Sequence, residues 1–347
     1  MAALGTKVRA WTAEEDKFLR DNCARLTSAQ IGDEIGRTKH AVDNRLGVLK
    51  ITGNRVATEP VPSANRPLSE VVASLTDTYR RKAAHHGAKR EGIDIQLPDD
   101  GPFAVFCFGD PHIDDPGTDA GQVFYHMELC RDTPGCYGAN VGDMSNNWVG
   151  SLARLYAHQN VTDDEANELV SYVLDFLPWA LVVEGNHDRW STVLGLLCKQ
   201  KGITRVAHGG RFRFKAGETS MTLDMRHDHK GRSQYNPAFG QAKQSYRGND
   251  AHVIVGGHTH QGAYTQLRNG VTGRVNHCIR LGSYKKEDDF AESLHLDRDD
   301  LGPACVVVCD TRLPEDHVGF VKCFFDVEAG CAYLGQLRAE WAKEEVA

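Results

Sequence analysis

The residues best suited to chemistry fall into five short clusters: Gly109-Asp110-Pro111-His112, Gly142-Asp143-Met144-Ser145-Asn146, Gly185-Asn186-His187-Asp188, Arg226-His227-Asp228-His229 and Gly256-Gly257-His258-Thr259-His260. Carboxylates, an amide and imidazoles are the side chains that bind divalent cations. An amide oxygen such as that of Asn186 binds a hard metal ion, and the adjacent His187 can reach a ligand held by the same ion. A mixed imidazole and carboxylate set suits Mn, Fe, Zn or Ni, whereas an all-oxygen set suits Mg or Ca.

Each cluster follows a strand-like run. Phe103 to Phe108 is unbroken apolar sequence, the mark of a strand buried on both faces. Tyr137 to Val141, Ala180 to Val183, Ser220 to Met225 and His252 to Val255 lead into the other four. Helical patterns at Asp163 to Leu177 and Arg189 to Gln200 lie between. Strand, polar loop and helix in repetition place the polar groups at the carboxyl ends of neighbouring strands, where open α/β sheets hold their ligands.

Taken in order, D-x-H, G-D-x-x-N, G-N-H-D, a histidine after the fourth strand and G-H-T-H resemble the calcineurin-like metallophosphoesterase family, over roughly residues 104 to 284. Asn146 is a departure, since many relatives place an acidic residue there. In the fourth cluster His227 is preferred to His229 because it comes first after the strand.

The resemblance implies one divalent ion held by Asp110, His112, Asp143 and His260. A second is held by Asp143, Asn186, His227 and His258, with Asp143 bridging. It implies a transition metal, manganese foremost with Fe, Zn or Ni as alternatives, and attack on phosphorus by a hydroxide bridging the two ions. His187 would protonate the leaving group or steady the developing charge, with Asp188 tuning or orienting it. The implied fold is α/β: two facing mixed sheets flanked by helices. His126, His158, His208, His252 and His277 fall outside the clusters and read as core or surface residues.

Around the clusters, Arg189 reads as a contact to a substrate phosphate or a surface arginine at a helix start, and Trp148 as a cleft wall that stacks on a base or a packed core aromatic. Arg211, Arg213 and Lys215 alternate with Phe212 and Phe214, a strand with one basic and one apolar face, read as an edge strand guarded by charge in preference to a guide for a nucleic-acid backbone. Ala304 to Val308 and Phe320 to Phe325 read as closing strands, and Glu340 to Val346 as a frayed helical tail.

The front of the chain differs. Thr12 with Glu15 forms a capping-box signature, Ser28 to Ile35 reads as a second short helix ended by Gly36, and Thr38 caps a third from Lys39 to about Lys50. W-T-x-E-E-D-x-x-L followed by I-G-R-T-x-x-A-V-x-x-R resembles a Myb/SANT-like DNA-binding module, with Ile31 and Val42 at the second and third tryptophan positions. The resemblance implies a third helix in a major groove, with Lys39, His40 and Asn44 near bases and Arg37 and Arg45 near phosphates. Docking of a protein is the rival reading, as the net charge of residues 1–50 is only +2.

The chain carries a net charge of −7, with +5 on residues 1–91 and −12 on the rest. A mildly basic front on an acidic body points to a polyanionic partner for the front. Ten cysteines without a C-x-x-C pair read as reduced core thiols, and no membrane span or secretory signal is expected, so the expected location is cytoplasmic. The expected organisation is a helix-turn-helix module over 1–50, a proline-bearing linker over 51–68, a bridging helix over 69–92 and a phosphoesterase domain over 93–347. The expected function is a dinuclear-metal phosphodiesterase or nuclease acting on DNA. The alternatives are a phosphatase on a phosphoprotein or small nucleotide, or a DNA-binding regulator using the body as a scaffold.

Overall fold

The computed structural model describes residues 9–51, 64–233, 235–287 and 301–344. The chain divides into two units, 1–76 and 77–347. Most of the linker expected over 51–68, residues 52–63, lies outside the described residues.

The front unit begins with α1 (Ala13–Asn22), α2 (Ser28–Ile35) and α3 (Lys39–Val48). The Thr12 hydroxyl accepts the Glu15 N–H while the Glu15 carboxylate accepts the Thr12 N–H, so two otherwise orphaned helix-end donors are satisfied. Thr27 and Gln30 repeat the device on α2, and Thr38 caps α3. Gly36, at φ 65°, ends α2 in the left-handed conformation that glycine adopts without a Cβ penalty. Leu19, Cys23, Ile31, Val42 and Leu46 form the buried core, flanked by Trp11, Phe18 and Leu49.

Next comes α4 (Leu68–Glu91), close to the helix expected over 69–92. Its apolar positions Val72, Leu75 and Tyr79 are exposed.

The second unit is an α/β sandwich of two six-stranded mixed sheets flanked by helices. Its elements in order are β1 (Ile93–Gln96), β2 (Phe103–Phe108), α5 (Ala120–Arg131), β3 (Cys136–Asn140), α6 (Asp163–Phe176), β4 (Trp179–Glu184), α7 (Val193–Gln200) and β5 (Arg205–Ala207). There follow β6 (Gly210–Ala216), β7 (Thr219–Met225), α8 (Phe239–Tyr246), β8 (Val253–Gly256), β9 (Ala263–Arg268), β10 (Val275–Arg280), β11 (Ala304–Cys309), β12 (Val321–Phe324) and α9 (Val327–Glu344). One sheet has the order β12-β11-β2-β3-β4-β5, with β2 to β5 mutually parallel; the other has β1-β6-β7-β8-β10-β9, with β7, β8 and β10 mutually parallel.

Alternation of side chains decides what each face meets. Val105 and Cys107 of β2 point into the core shared by the two sheets, with Leu181, Val183, Phe212, Phe214, Leu223 and Ile279. Phe106 and Phe108 point the other way, among Val123, Met127, Val170, Val173 and Leu334 of α5, α6 and α9. A strand covered on both faces must be apolar throughout, which is why Phe103 to Phe108 has no polar residue. Among the described residues no helix is long and apolar enough to cross a membrane.

Two expectations change. The basic face of β6 is neutralised: Asp94 of β1 pairs with Arg213 and Lys215, and Asp250 with Arg211. Nor is β6 an edge strand, because β1 lies beside it. The closing helix is longer than the tail expected over 340–346: α9 starts at Val327 and buries Val327, Gly330, Cys331, Leu334 and Leu337 ahead of that tail, of which residues 345 and 346 lie outside the described residues. Leu334→Ala leaves a cavity in this core and is expected to lower unfolding free energy by about 2–5 kcal/mol. A urea denaturation midpoint equal to the parent's would show that α9 does not support the sandwich.

Candidate metal centre

The loops after β2, β3 and β4, adjacent and parallel in one sheet, carry Asp110 and His112, Asp143, and Asn186 with His187. The loops after β7 and β8, adjacent and parallel in the other sheet, carry His227, and His258 with His260. The carboxyl ends of both strand sets therefore meet at one place. His227 Nε2 lies 2.9 Å from Asn186 Oδ1, 3.0 Å from His258 Nδ1 and 3.2 Å from Asp143 Oδ2. His227 Nδ1 lies 3.7 Å from Asp110 Oδ1, His260 Nε2 3.8 Å from Asp110 Oδ2, and His112 Nε2 3.9 Å from Asp143 Oδ2. Two groups have ligand atoms within 4.8 Å of one another: Asp143 with His227 and His258, and Asp143 with His112 and His187. Asp143 is common to both.

The backbone is bent to achieve this. His112, Asp143, His258 and His260 have φ of 40°, 52°, 74° and 56°, as does neighbouring Asn147 at 44°. Non-glycine residues rarely enter this region, at a cost of about 1–3 kcal/mol each, and such strain concentrates at functional sites. Two glycines make the close approach possible. A Cβ on Gly142 would stand 2.4 Å from His227 Nδ1, and one on Gly185 2.1 Å from Asp143 Oδ1.

Hydrogen bonds fix which ring nitrogens are free. The Asn146 amide nitrogen donates to Asp115 Oδ2 at 2.9 Å, so its oxygen faces His112 and accepts the Nδ1–H at 2.9 Å. The lone pair of His112 is thereby on Nε2, a buried atom with no hydrogen-bond partner. His227 Nδ1 donates to the Val141 carbonyl at 3.1 Å, which turns its Nε2 toward Asn186, His258 and Asp143. Asp110 Oδ1 is likewise buried and unpartnered, while Oδ2 accepts the His258 N–H.

Charge shifts follow. Burial, with the nearby Asp143 charge, pushes the Asp110 carboxyl up to about 7. Burial would lower His227, but its hydrogen bond to Asp143 and the charges of Asp110, Asp143 and Asp188 outweigh it and lift the ring to about 9. Burial alone would raise Asp143, yet His227 and His112 hold its carboxyl below the usual range. Burial drives His112 well down, to the neutral imidazole that a metal requires. Unpartnered buried lone pairs of carboxylate and imidazole, aimed at one another from a strained backbone, fit divalent transition-metal ions.

The remaining expected site residues are distributed as follows. The His187 N–H donates to Asp143 Oδ1 at 2.9 Å, and its ring Nδ1 donates to the Asn146 carbonyl. Trp148 packs against the His187 ring at 5.1 Å between centroids. Asp188 is buried and does not orient His187. Its oxygens accept the N–H groups of Asp143, Met144 and Gly185 at 2.7–2.9 Å, clamping two of the loops together. Arg189 is exposed, beside Glu184 and Arg205. His229 turns away, its Nε2 donating to the Val255 carbonyl.

In the front unit, Lys39, His40 and Asn44 are exposed on α3. Arg37 does not face outward: its guanidinium binds the Glu15 carboxylate at 2.9 Å and the Arg9 and Ala10 carbonyls at 2.6 Å, and lies over the Trp11 ring. Arg45 makes a two-pronged pair with Asp16 at 2.6–2.7 Å. Both arginines expected at phosphates brace the three helices instead.

Sequence reading passed over Asp114, Asp115 and Arg280. Asp114 is buried and Asp115 half-buried; they accept the Asn146 N–H and amide, with Lys285 paired to Asp115 at 3.0 Å. Their signal was adjacency to the first cluster. Arg280, 1% exposed, donates to the Gly257 carbonyl and Thr259 hydroxyl and so holds the loop between His258 and His260. A lone arginine ending a strand carries no signal.

No protein-family model and no curated protein matches the chain. Among solved structures, zinc-bound wild-type Vps29 of Entamoeba histolytica is 15% identical at a TM-score of 0.32, over 64% of this chain and 97% of that one. NAD nucleotidase of Haemophilus influenzae is 10% identical at 0.35, over 64% and 49%. Nuclease MPE of Pseudomonas putida is 11% identical at 0.29, over 63% and 87%. Likeness this slight assigns neither reaction nor substrate, and the chemistry rests on the site itself.

Asn146→Ala removes the acceptor that fixes the His112 ring. Divalent-metal affinity is expected to fall roughly 10–100-fold by titration calorimetry. Unchanged affinity would show that the amide contributes nothing to the site.

Proposed function

We propose that the second unit is a divalent-metal-dependent phosphoesterase acting on phosphodiesters of nucleic acid, DNA foremost. The observation that carries this reading is the convergence of His112 and His187 from one sheet, and His227 and His258 from the other, on the shared Asp143. Asp110, His112, Asp143 and His260 would hold one ion, and Asp143, Asn186, His227 and His258 the other, with manganese favoured. When bound, two such ions supply the positive charge that neutralises phosphate oxygens and makes a water acidic enough to serve as nucleophile at neutral pH.

The chain's own groups do the rest. Nδ1 of His187 keeps its proton on the Asn146 carbonyl, so Nε2 is the nitrogen open to exchange: it would take up the proton released by the attacking water and pass it to the leaving oxygen. Asp188 acts by position, tying the backbone of Asp143 to that of Gly185. The front unit tethers substrate through Lys39, His40 and Asn44, which raises its local concentration at the site.

Chelator-stripped protein is expected to leave a bis-aryl phosphate intact, and manganese to restore turnover. Asp143→Ala lowers kcat/KM by about 10³ or more. His187→Ala lowers kcat by about 10²–10⁴ with metal content kept. Turnover by stripped protein or by Asp143→Ala overturns the metal reading, and hydrolysis of monoesters alone overturns the diester preference.

For the front unit, duplex affinity should fall with salt, and Lys39→Ala should flatten the slope of log K against log salt by about 1. Binding insensitive to salt, or unchanged on deleting residues 1–50, excludes tethering.

A further inference from the structure

We infer that the body carries a nucleobase-binding cleft on the far side of His187 from the metal ligands. It deepens the phosphoesterase reading and rests on it for its role. His187 stands at the junction. Its ring nitrogen is within ligand distance of His112 and Asp143, while Trp148 meets the ring at 5.1 Å and Trp190 at 4.3 Å between centroids. Behind the two indoles opens a cleft of about 380 Å³, inside the range of small-ligand pockets.

The walls say what fits. Trp148, Tyr156 and Trp190 line the cleft, and Tyr156 and Trp190 remain 37% exposed where a core would have buried them. Flat π-faces in a solvent-open cleft bind another flat ring, whatever its sequence context. The Lys285 ammonium, 5.4 Å over the Trp148 ring, braces that indole and is itself paired to Asp115.

Around the aromatic walls stand Asn147, Asp163 and Asn167, acceptors and donors suited to the amino and imino edges of a base. Among the described residues neither Lys nor Arg lines the cleft, so it is not built for a phosphate. A ligand spanning both places has an anionic end at the metal cage and an uncharged aromatic end here: a nucleotide. With His187 between the two, the nucleoside in the cleft is the one on the leaving oxygen.

The test uses the full chain in chelator, so that it does not depend on turnover. The chain has five tryptophans, and Trp148→Phe and Trp190→Phe identify their indole N–H signals in a two-dimensional NMR spectrum. Adenosine is expected to shift those two signals and ribose neither. Trp190→Leu should weaken adenosine about tenfold, by loss of one stacking face, while Trp190→Phe keeps it within about threefold.

With a dinucleotide substrate and metal, Trp190→Leu should raise KM with kcat nearly kept, whereas a merely structural role would depress both. Equal response to adenosine and ribose, or full adenosine affinity in Trp190→Leu, overturns the cleft. Those results leave the metal-dependent reading standing. Adenosine binding in a protein that never hydrolyses a diester keeps the cleft and removes the reading.

Discussion

Everything in the second unit answers to one electrostatic demand. Two buried carboxylates, Asp110 and Asp143, lie among the rings of His112, His227, His258 and His260. Anions stripped of water are stable only beside compensating positive charge. From protein groups alone that compensation is protonation, with Asp110 lifted to about 7 and His227 to about 9. Bound +2 ions would supply the same compensation without protonating the carboxylate.

Such a cage works against folding, so the fold must hold it by force. Four of its residues occupy left-handed backbone positions, and three backbone N–H groups are anchored on Asp188. The opposing stabilisation is the apolar interior between the sheets, where β2, β3 and β4 face β6, β7 and β8. Because each ligand loop leaves a strand end fixed in that interior, the loops have little freedom to relax. Strain that would dissipate in a flexible loop is kept where it aims side chains.

The strands and loops were legible because burial on both faces writes long apolar runs, and the ligands follow them at once. The three front helices were legible through Thr12, Gly36 and Thr38, whose capping roles are local. What sequence could not carry was the partner of each charge. Arg213 and Lys215 look identical on a nucleic-acid groove and against Asp94, a residue over a hundred positions away. Arg37 and Arg45 fit a phosphate contact by motif, yet Glu15 and Asp16 already claim them. Asp188 is a similar case: its oxygens accept backbone N–H groups, two of them from a distant loop, and nothing in G-N-H-D says so. Asn146, a departure in the second cluster, proved to touch both His112 and His187.

The pairing of these cations also bears on how a polyanion would be held. Residues 92–347 carry −12, a field that repels nucleic acid at range and is screened beyond about 10 Å at ordinary salt. Arg211, Arg213 and Lys215 are spent on internal pairs and cannot offset it. On the nucleic-acid reading, attraction must then come from short-range sources: the bound ions at the cage, stacking on the indoles beside His187, and the exposed face of α3. Short-range sources favour a substrate delivered by tethering over one captured from solution, which gives a mildly basic front unit its use even though two of its arginines are already committed.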